Sequence, residues 1–219
     1  MGTYKTKAVA SQAVISRDPA VVSKRILDAA QQEFMQAGYE RANTNRIVER
    51  FGGSKATLFR HFPSKQALFE GVVRRIAAGW PEQVKWSEIG SDVPDRWLNE
   101  FGCMALKWIL SDETLFLGRT AIAEGALFPE LRPIFPTLAS NPLEKVLSGK
   151  LREWTVHKLL TSTDPDRDAQ SYFDLVLSGV VSRTLYGVER VQSSSRIRVH
   201  VQHAVNLFLH GVAAKPGGT

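Results

Sequence analysis

The stretch 38-GYERANTNRIVERFGGSKATLFRHFPSK-65 reads as a short helix, a glycine turn, a second short helix, and then Pro63 followed by a fresh helix start. Asn43 or Thr44 can cap the first helix, and Ile47, Val48 and Phe51 fall on one face, suited to burial against a neighbour. Gly52 and Gly53 both tolerate the positive φ that a tight turn between crossing helices requires. Ser54 opens the second helix, its hydroxyl within reach of the amide near Thr57, and places Leu58 and Phe62 one turn apart on the inner face. Lys55, Ala56, Thr57, Phe59, Arg60 and His61 are left outward. That mixture of cation, hydroxyl and small side chain suits a major-groove floor and its flanking phosphates.

The flanking segments brace this pair. From Val21 to Gly38, Ile26, Leu27, Ala30 and Phe34 follow helical spacing, with Gly38 where the helix should end. After Pro63, Ser64 caps a helix whose buried stripe is Leu68, Phe69, Val72, Val73 and Ile76. Lys65 sits in its first turn, where helix N-terminus and ammonium together favour a phosphate.

The run from ILDAAQQEFMQAGY through NTNRIVERFGGSKATLFRHFPSKQALFEGVV, roughly residues 21 to 76, closely resembles the DNA-binding domain of the TetR family of bacterial transcriptional repressors. The chain departs from that family's pattern at Gly53, where an apolar residue is usual, at Phe51, where alanine is usual, and at Arg46, where an acidic residue is common. Phe59 replaces a more frequent tyrosine and brings only ring contact. The resemblance implies an all-α homodimer in which an N-terminal three-helix, helix-turn-helix domain binds a palindromic double-stranded operator. A C-terminal helical domain would then dimerise and hold a small hydrophobic or aromatic effector that releases the DNA. Thr44, Ser54, Lys55, Phe59, His61 and Lys65 are expected against the DNA backbone, with Asn45, Ala56, Thr57 and Arg60 nearer the bases. A relative without an effector, or an all-α enzyme using an internal cavity, are the alternatives.

Charge agrees with the motif. Residues 1–76 hold 13 Lys plus Arg against 6 Asp plus Glu, while the remainder of the 219-residue chain is nearly neutral. Such asymmetry is the electrostatic footprint of a phosphate binder, although a basic helical face is also common on ordinary surfaces. No apolar run approaches the roughly 20 residues that span a bilayer, and MGTYKTKAVASQAV lacks a compact hydrophobic signal region, so a cytoplasmic, non-membrane protein is expected. Cys103 stands alone and reads as core packing. No Gly-rich phosphate loop, Ser/His/Asp arrangement or paired carboxylate follows from the spacing, so no enzyme and no cofactor is expected. His200, His203 and His210 share a flank of the last helix, but nothing completes a metal set, and no metal is expected.

The sequence therefore divides into a flexible basic arm (1–20), the reading domain (21–76) and a regulatory and dimerisation domain (77–215). The arm could reach a minor groove or have no role. Beyond the breaker-rich PEQVKWSEIGSDVP, Asp92 with Pro94 should start a helix through WLNEFGCMALKWIL. Others should run from about Asp112 to Phe128, from Asn141 to about Leu160 and from Asp164 through Val188, before the final RIRVHVQHAVNLFLHGVAA. FLGRTAIAEGALFPELRPIF looks like the regulatory domain of the AefR-like subgroup of the same family. Phe101, Trp108, Phe116, Arg119 and Phe173 are the candidates for an effector pocket, Arg119 either meeting an anionic ligand or pairing with Glu124 or another core carboxylate. Val176, Val180, Ile197, Val201, Val205, Phe208 and Val212 are expected at a two-fold interface.

Overall fold

The computed structural model describes residues 18–79, 86–90, 92–131, 133, 142–188 and 193–210. Among them there are helices and turns and no strand. Four helices form a head: α1 (Pro19–Arg41), α2 (Thr44–Phe51), α3 (Lys55–His61) and α4 (Lys65–Ala78). Five form a body: α5 (Pro94–Ile109), α6 (Asp112–Glu124), α7 (Pro142–Val156), α8 (Pro165–Leu185) and α9 (Ser194–His210).

Short polar side chains start most of these helices by taking an orphan amide. Asp18, Asn43, Ser54, Ser64, Ser111 and Asp164 each accept from a backbone N–H two or three residues on. Helix α5 differs from expectation. Its cap is Val93, with no side-chain bond, because Asp92 instead takes the ammonium of Lys150 at 3.1 Å.

The helix ends are also set by local geometry that periodicity does not carry. Gly38 (φ 77°) interrupts α1, yet one further turn follows to Arg41. Helix α6 stops at Glu124 rather than Phe128. Helix α7 stops at Val156 rather than Leu160, where Lys158 turns left-handed (φ 58°) and Leu159 N–H reaches back to the Trp154 carbonyl. Helix α8 stops at Leu185 rather than Val188. Gly187 (φ 73°) bonds the Thr184 carbonyl and Val188 that of Arg183, the paired closure that a left-handed residue after a helix makes.

Two apolar cores result. The head core joins Ile26, Phe34, Ile47, Leu58, Phe69 and Val72, and it also takes in Phe116, Leu117 and Leu131 from the body. Phe69 and Phe116 stand edge to face at 6.4 Å across that seam, so head and body share packed surface. The body core is built by Trp97, Phe101, Leu147, Trp154, Tyr172, Phe173 and their neighbours.

Placement of the α8 and α9 stripes corrects one expectation. Val176, Val180, Ile197, Val201 and Val205 are at most 4% exposed and line the protomer's own core, with Phe208 packed at its edge. Val212 lies outside the described residues. An apolar stripe is covered by whichever surface is nearest, and here α5 and α7 supply it.

Candidate nucleic-acid interface

The turn between α2 and α3 is held by groups from α1. Asn43, rather than Thr44, caps α2 by accepting from Asn45 N–H at 2.8 Å. Gly52 is left-handed (φ 69°, ψ 41°), and its N–H closes on the Val48 carbonyl at 3.0 Å. At the far end of α2, the Arg25 guanidinium donates to the Phe51 carbonyl at 2.5 Å. Glu33, 1% exposed, accepts from Asn43 N–H at 3.0 Å and from Arg46 at 2.8 Å. Arg46, at a position where the resembled pattern is commonly acidic, thus faces a buried carboxylate from α1. The sequence reading missed Glu33 and Arg25. Glu33 had a signal, since it falls on the stripe of Ile26, Ala29 and Ala30, where a charge needs a partner. Arg25 had none.

In α3, Ser54 accepts from Thr57 N–H at 3.1 Å, and the two hydroxyls lie 3.0 Å apart. Leu58 is buried against the head core, with Phe62 beside it. Lys55, Ala56, Phe59 and Arg60 are exposed, as is Asn45, whereas Thr44, Thr57 and His61 are half-buried. Thr57 thus spends part of its polar capacity on its own helix start.

Several cations of the head are engaged by other groups of the head. Arg46 and Arg50 engage Glu33, Gln32 and Gln36, Arg75 pairs with Asp28 at 2.6 Å, and Arg25 holds Phe51. Lys65 belongs with these. Its ammonium donates to the Glu40 carbonyl at 2.7 Å and sits 5.0 Å over the Tyr39 ring, turned toward α1 rather than outward. Burial lowers its pKa from the ordinary lysine value, against the opposing pull of Glu124, Glu40 and Glu33. Lys55 and Arg60 differ: among the described residues neither has a hydrogen-bond or ion-pair partner.

The five pocket candidates do not share one wall. Phe101 and Phe173 meet at 6.0 Å in the body core, and Phe116 lies in the head core. Trp108 borders a hollow of about 360 Å³ between head and body, together with Gln31, Arg75 and Ser111. Arg119 is exposed rather than internal, and Glu124 bonds backbone amides of α1 instead of pairing with it. His200 meets the Val176 carbonyl through a ring nitrogen at 2.9 Å.

Comparison with known proteins follows the same division. A family model described as bacterial regulatory proteins, tetR family, matches residues 26–72, and one described as the C-terminal domain of AefR-like transcriptional repressors matches residues 96–211. The chain is 45% identical over 192 residues to the uncharacterized HTH-type transcriptional regulator YvkB of Bacillus subtilis (strain 168), covering 88% of this chain and 97% of that one. A TetR transcriptional regulator from Agrobacterium tumefaciens superposes with a TM-score of 0.70 at 19% identity, covering 86% and 92% of the two chains. The flavonoid-responsive regulator FrrA does so at 0.67 and 22%, covering 87% and 96%. At such identities these two likenesses are of fold.

Proposed function

The chain belongs to the TetR family of bacterial regulatory proteins and is a DNA-binding transcriptional regulator, and we propose that it is a repressor that reads a palindromic operator as a homodimer and leaves it when a small apolar effector binds the body. One observation carries the DNA part of this reading. Lys55 and Arg60 stand exposed and unpartnered on the outer face of α3, while the other cations named above are consumed in holding the head together. Exposed cations on a protruding short helix meet phosphates and base edges at no cost in broken internal bonds. Asn45, Ala56 and Phe59 share that surface. Thr44, Ser54, Thr57 and His61 border it, and Lys65 acts chiefly through its backbone and its grip on α1.

Dimerisation through α8 and α9 would use the faces these helices turn away from the core. Leu175, Ser178 and Gly179 on α8 and Val199, Gln202 and Asn206 on α9 are exposed, with small residues that let helices approach closely. For the effector, support comes from the cluster of Trp97, Phe101, Trp154 and Phe173, in which the buried Trp154 Nε1 has no acceptor among the described residues. A flat apolar ligand with one acceptor oxygen would satisfy it.

The test is a titration of the protein with the DNA immediately upstream of its own reading frame at several salt concentrations. Lys55→Ala should weaken all binding and reduce the salt slope by about one per contacting lysine, and Arg60→Ala should change sequence preference. Absence of binding even in dilute salt overturns the reading.

A further inference from the structure

The bend at Gly38 takes Tyr39 and Glu40 out of the α1 hydrogen-bond ladder and leaves two backbone donors at its turn. A single carboxylate from the body takes both: Tyr39 N–H donates to Glu124 Oε1 at 3.0 Å and Glu40 N–H to Glu124 Oε2 at 2.9 Å, across 85 and 84 residues of chain. The approach is close enough that a Cβ on Gly38 would stand 2.8 Å from Oε1. Glycine at 38 therefore serves twice, supplying the positive φ and clearing room for the carboxylate.

Glu124 is the last residue of α6, where the negative end of the helix dipole disfavours a carboxylate. Its position is thus unexplained by the stability of its own helix and explained by the two amides opposite. The same turn is also held by α4, since Lys65 donates to the Glu40 carbonyl, one peptide further on, at 2.7 Å. Three residues on from Glu40, Asn43 caps α2, the helix that carries the reading helix behind it. Apolar contacts such as Phe69 with Phe116 hold head against body but are indifferent to small rotations. Two charge-assisted bonds from one carboxylate fix an orientation.

We propose that Glu124 is a positioning residue for DNA reading: its carboxylate clamps the Tyr39 and Glu40 amides and so sets the angle at which the body presents α2 and α3 to the operator. This rests on the reading of the chain as a dimer that must offer two heads at a fixed separation. Displacement of the α6 end, by an effector or otherwise, withdraws the carboxylate and frees both amides together. Non-specific DNA makes no demand on that angle, because phosphates are met by backbone-contacting groups such as Lys55 whatever the separation of the heads.

The experiment compares the full chain with Glu124→Gln, whose side chain can accept from only one of the two amides, and with Glu124→Asp, which keeps the charge. Three quantities are read: affinity for the upstream DNA, affinity for an unrelated duplex of equal length, and hydrogen-exchange rates of the Tyr39 and Glu40 amides without DNA. Glu124→Gln should lose about tenfold in affinity for the upstream DNA, within the usual range of coupling between sites. The unrelated duplex should bind as before, the melting temperature should change little, both amides should exchange faster, and Glu124→Asp should recover part of the loss. An unchanged ratio of the two affinities overturns the proposal, as does a parallel fall of both affinities with melting temperature, which would make Glu124 a stability residue only. Wild-type protein with no preference for the upstream DNA overturns the operator reading itself, and the exchange rates then decide the clamp alone.

Discussion

The ring of Phe51 occupies the space that a side chain at position 53 would need: a Cβ on Gly53 would lie 2.1 Å from Phe51 Cε2. Two departures from the resembled pattern are therefore one exchange, in which the bulk usual at 53 has moved to 51. Gly53→Val should destabilise by about 1–3 kcal/mol through overpacking, and Phe51→Ala by about 3 kcal/mol through the cavity it leaves. The double variant should lose clearly less than the sum, with a coupling of roughly 1–3 kcal/mol. Urea unfolding of the four proteins measures it, and simple additivity would contradict the exchange.

Glu33 and Arg46 form a second pair of this kind. Removing Arg46 leaves a carboxylate that is 2% exposed with, among the described residues, only Asn43 N–H and the more distant Arg50 at 3.9 Å. Arg46→Ala should cost about 2 kcal/mol, whereas Glu33→Leu combined with Arg46→Ala should come within about 1 kcal/mol of the parent, because a paired charge is replaced by apolar volume. Equal losses in the two variants would show that the pair is not what the buried carboxylate depends on.

Burial assigns different fates to neighbouring residues of the last helix. Val201→Arg should abolish folding, since the residue is 0% exposed in the body core. Val199→Arg, at a position 68% exposed, should leave helicity intact and shift a dimer toward monomer in sedimentation. A folded, monomeric Val201→Arg would return the interface to the inward stripe.

Alkaline stability should depend on Tyr172. Its phenol donates to the Leu98 carbonyl at 2.7 Å, and its pKa is raised, first by burial and then by the neighbouring Cys103. In the unfolded chain tyrosine ionises near pH 10, so there the folded protein retains a proton the unfolded chain has lost. The stability this phenol contributes is fully present below about pH 10 and is lost as pH rises further, at about 1.4 kcal/mol per unit. Tyr172→Phe should cost about 1 kcal/mol at neutral pH and flatten the alkaline decline. Tyr39, also raised by burial, leaves a residual slope. Unfolding free energies across the alkaline range decide it, and an unchanged slope in Tyr172→Phe would refute the assignment.

Within the head, nearly every local device could be read directly. Asn43, Ser54 and Ser64 take amides two or three residues on, Gly52 turns left-handed, and Leu58 faces inward, because caps and helical faces depend only on near neighbours in the chain. Lys65 was legible as a first-turn cation, but not as one whose ammonium turns back to the Glu40 carbonyl. The aromatics of the body announced a core without telling whether Phe116 would join it or cross to the head, as it does.

What the chain determined by itself was thus the helix-turn-helix, its charge and the existence of covered stripes, since propensity, capping and periodicity act over a few residues. Only the tertiary structure decided which surface covers each stripe, that Glu33 meets Arg46, and that Glu124 reaches the amides after Gly38. Those relationships join residues 13 to 85 positions apart. No spacing rule specifies them, because they arise only when packing has brought separate helices together and each buried polar group must find a partner there.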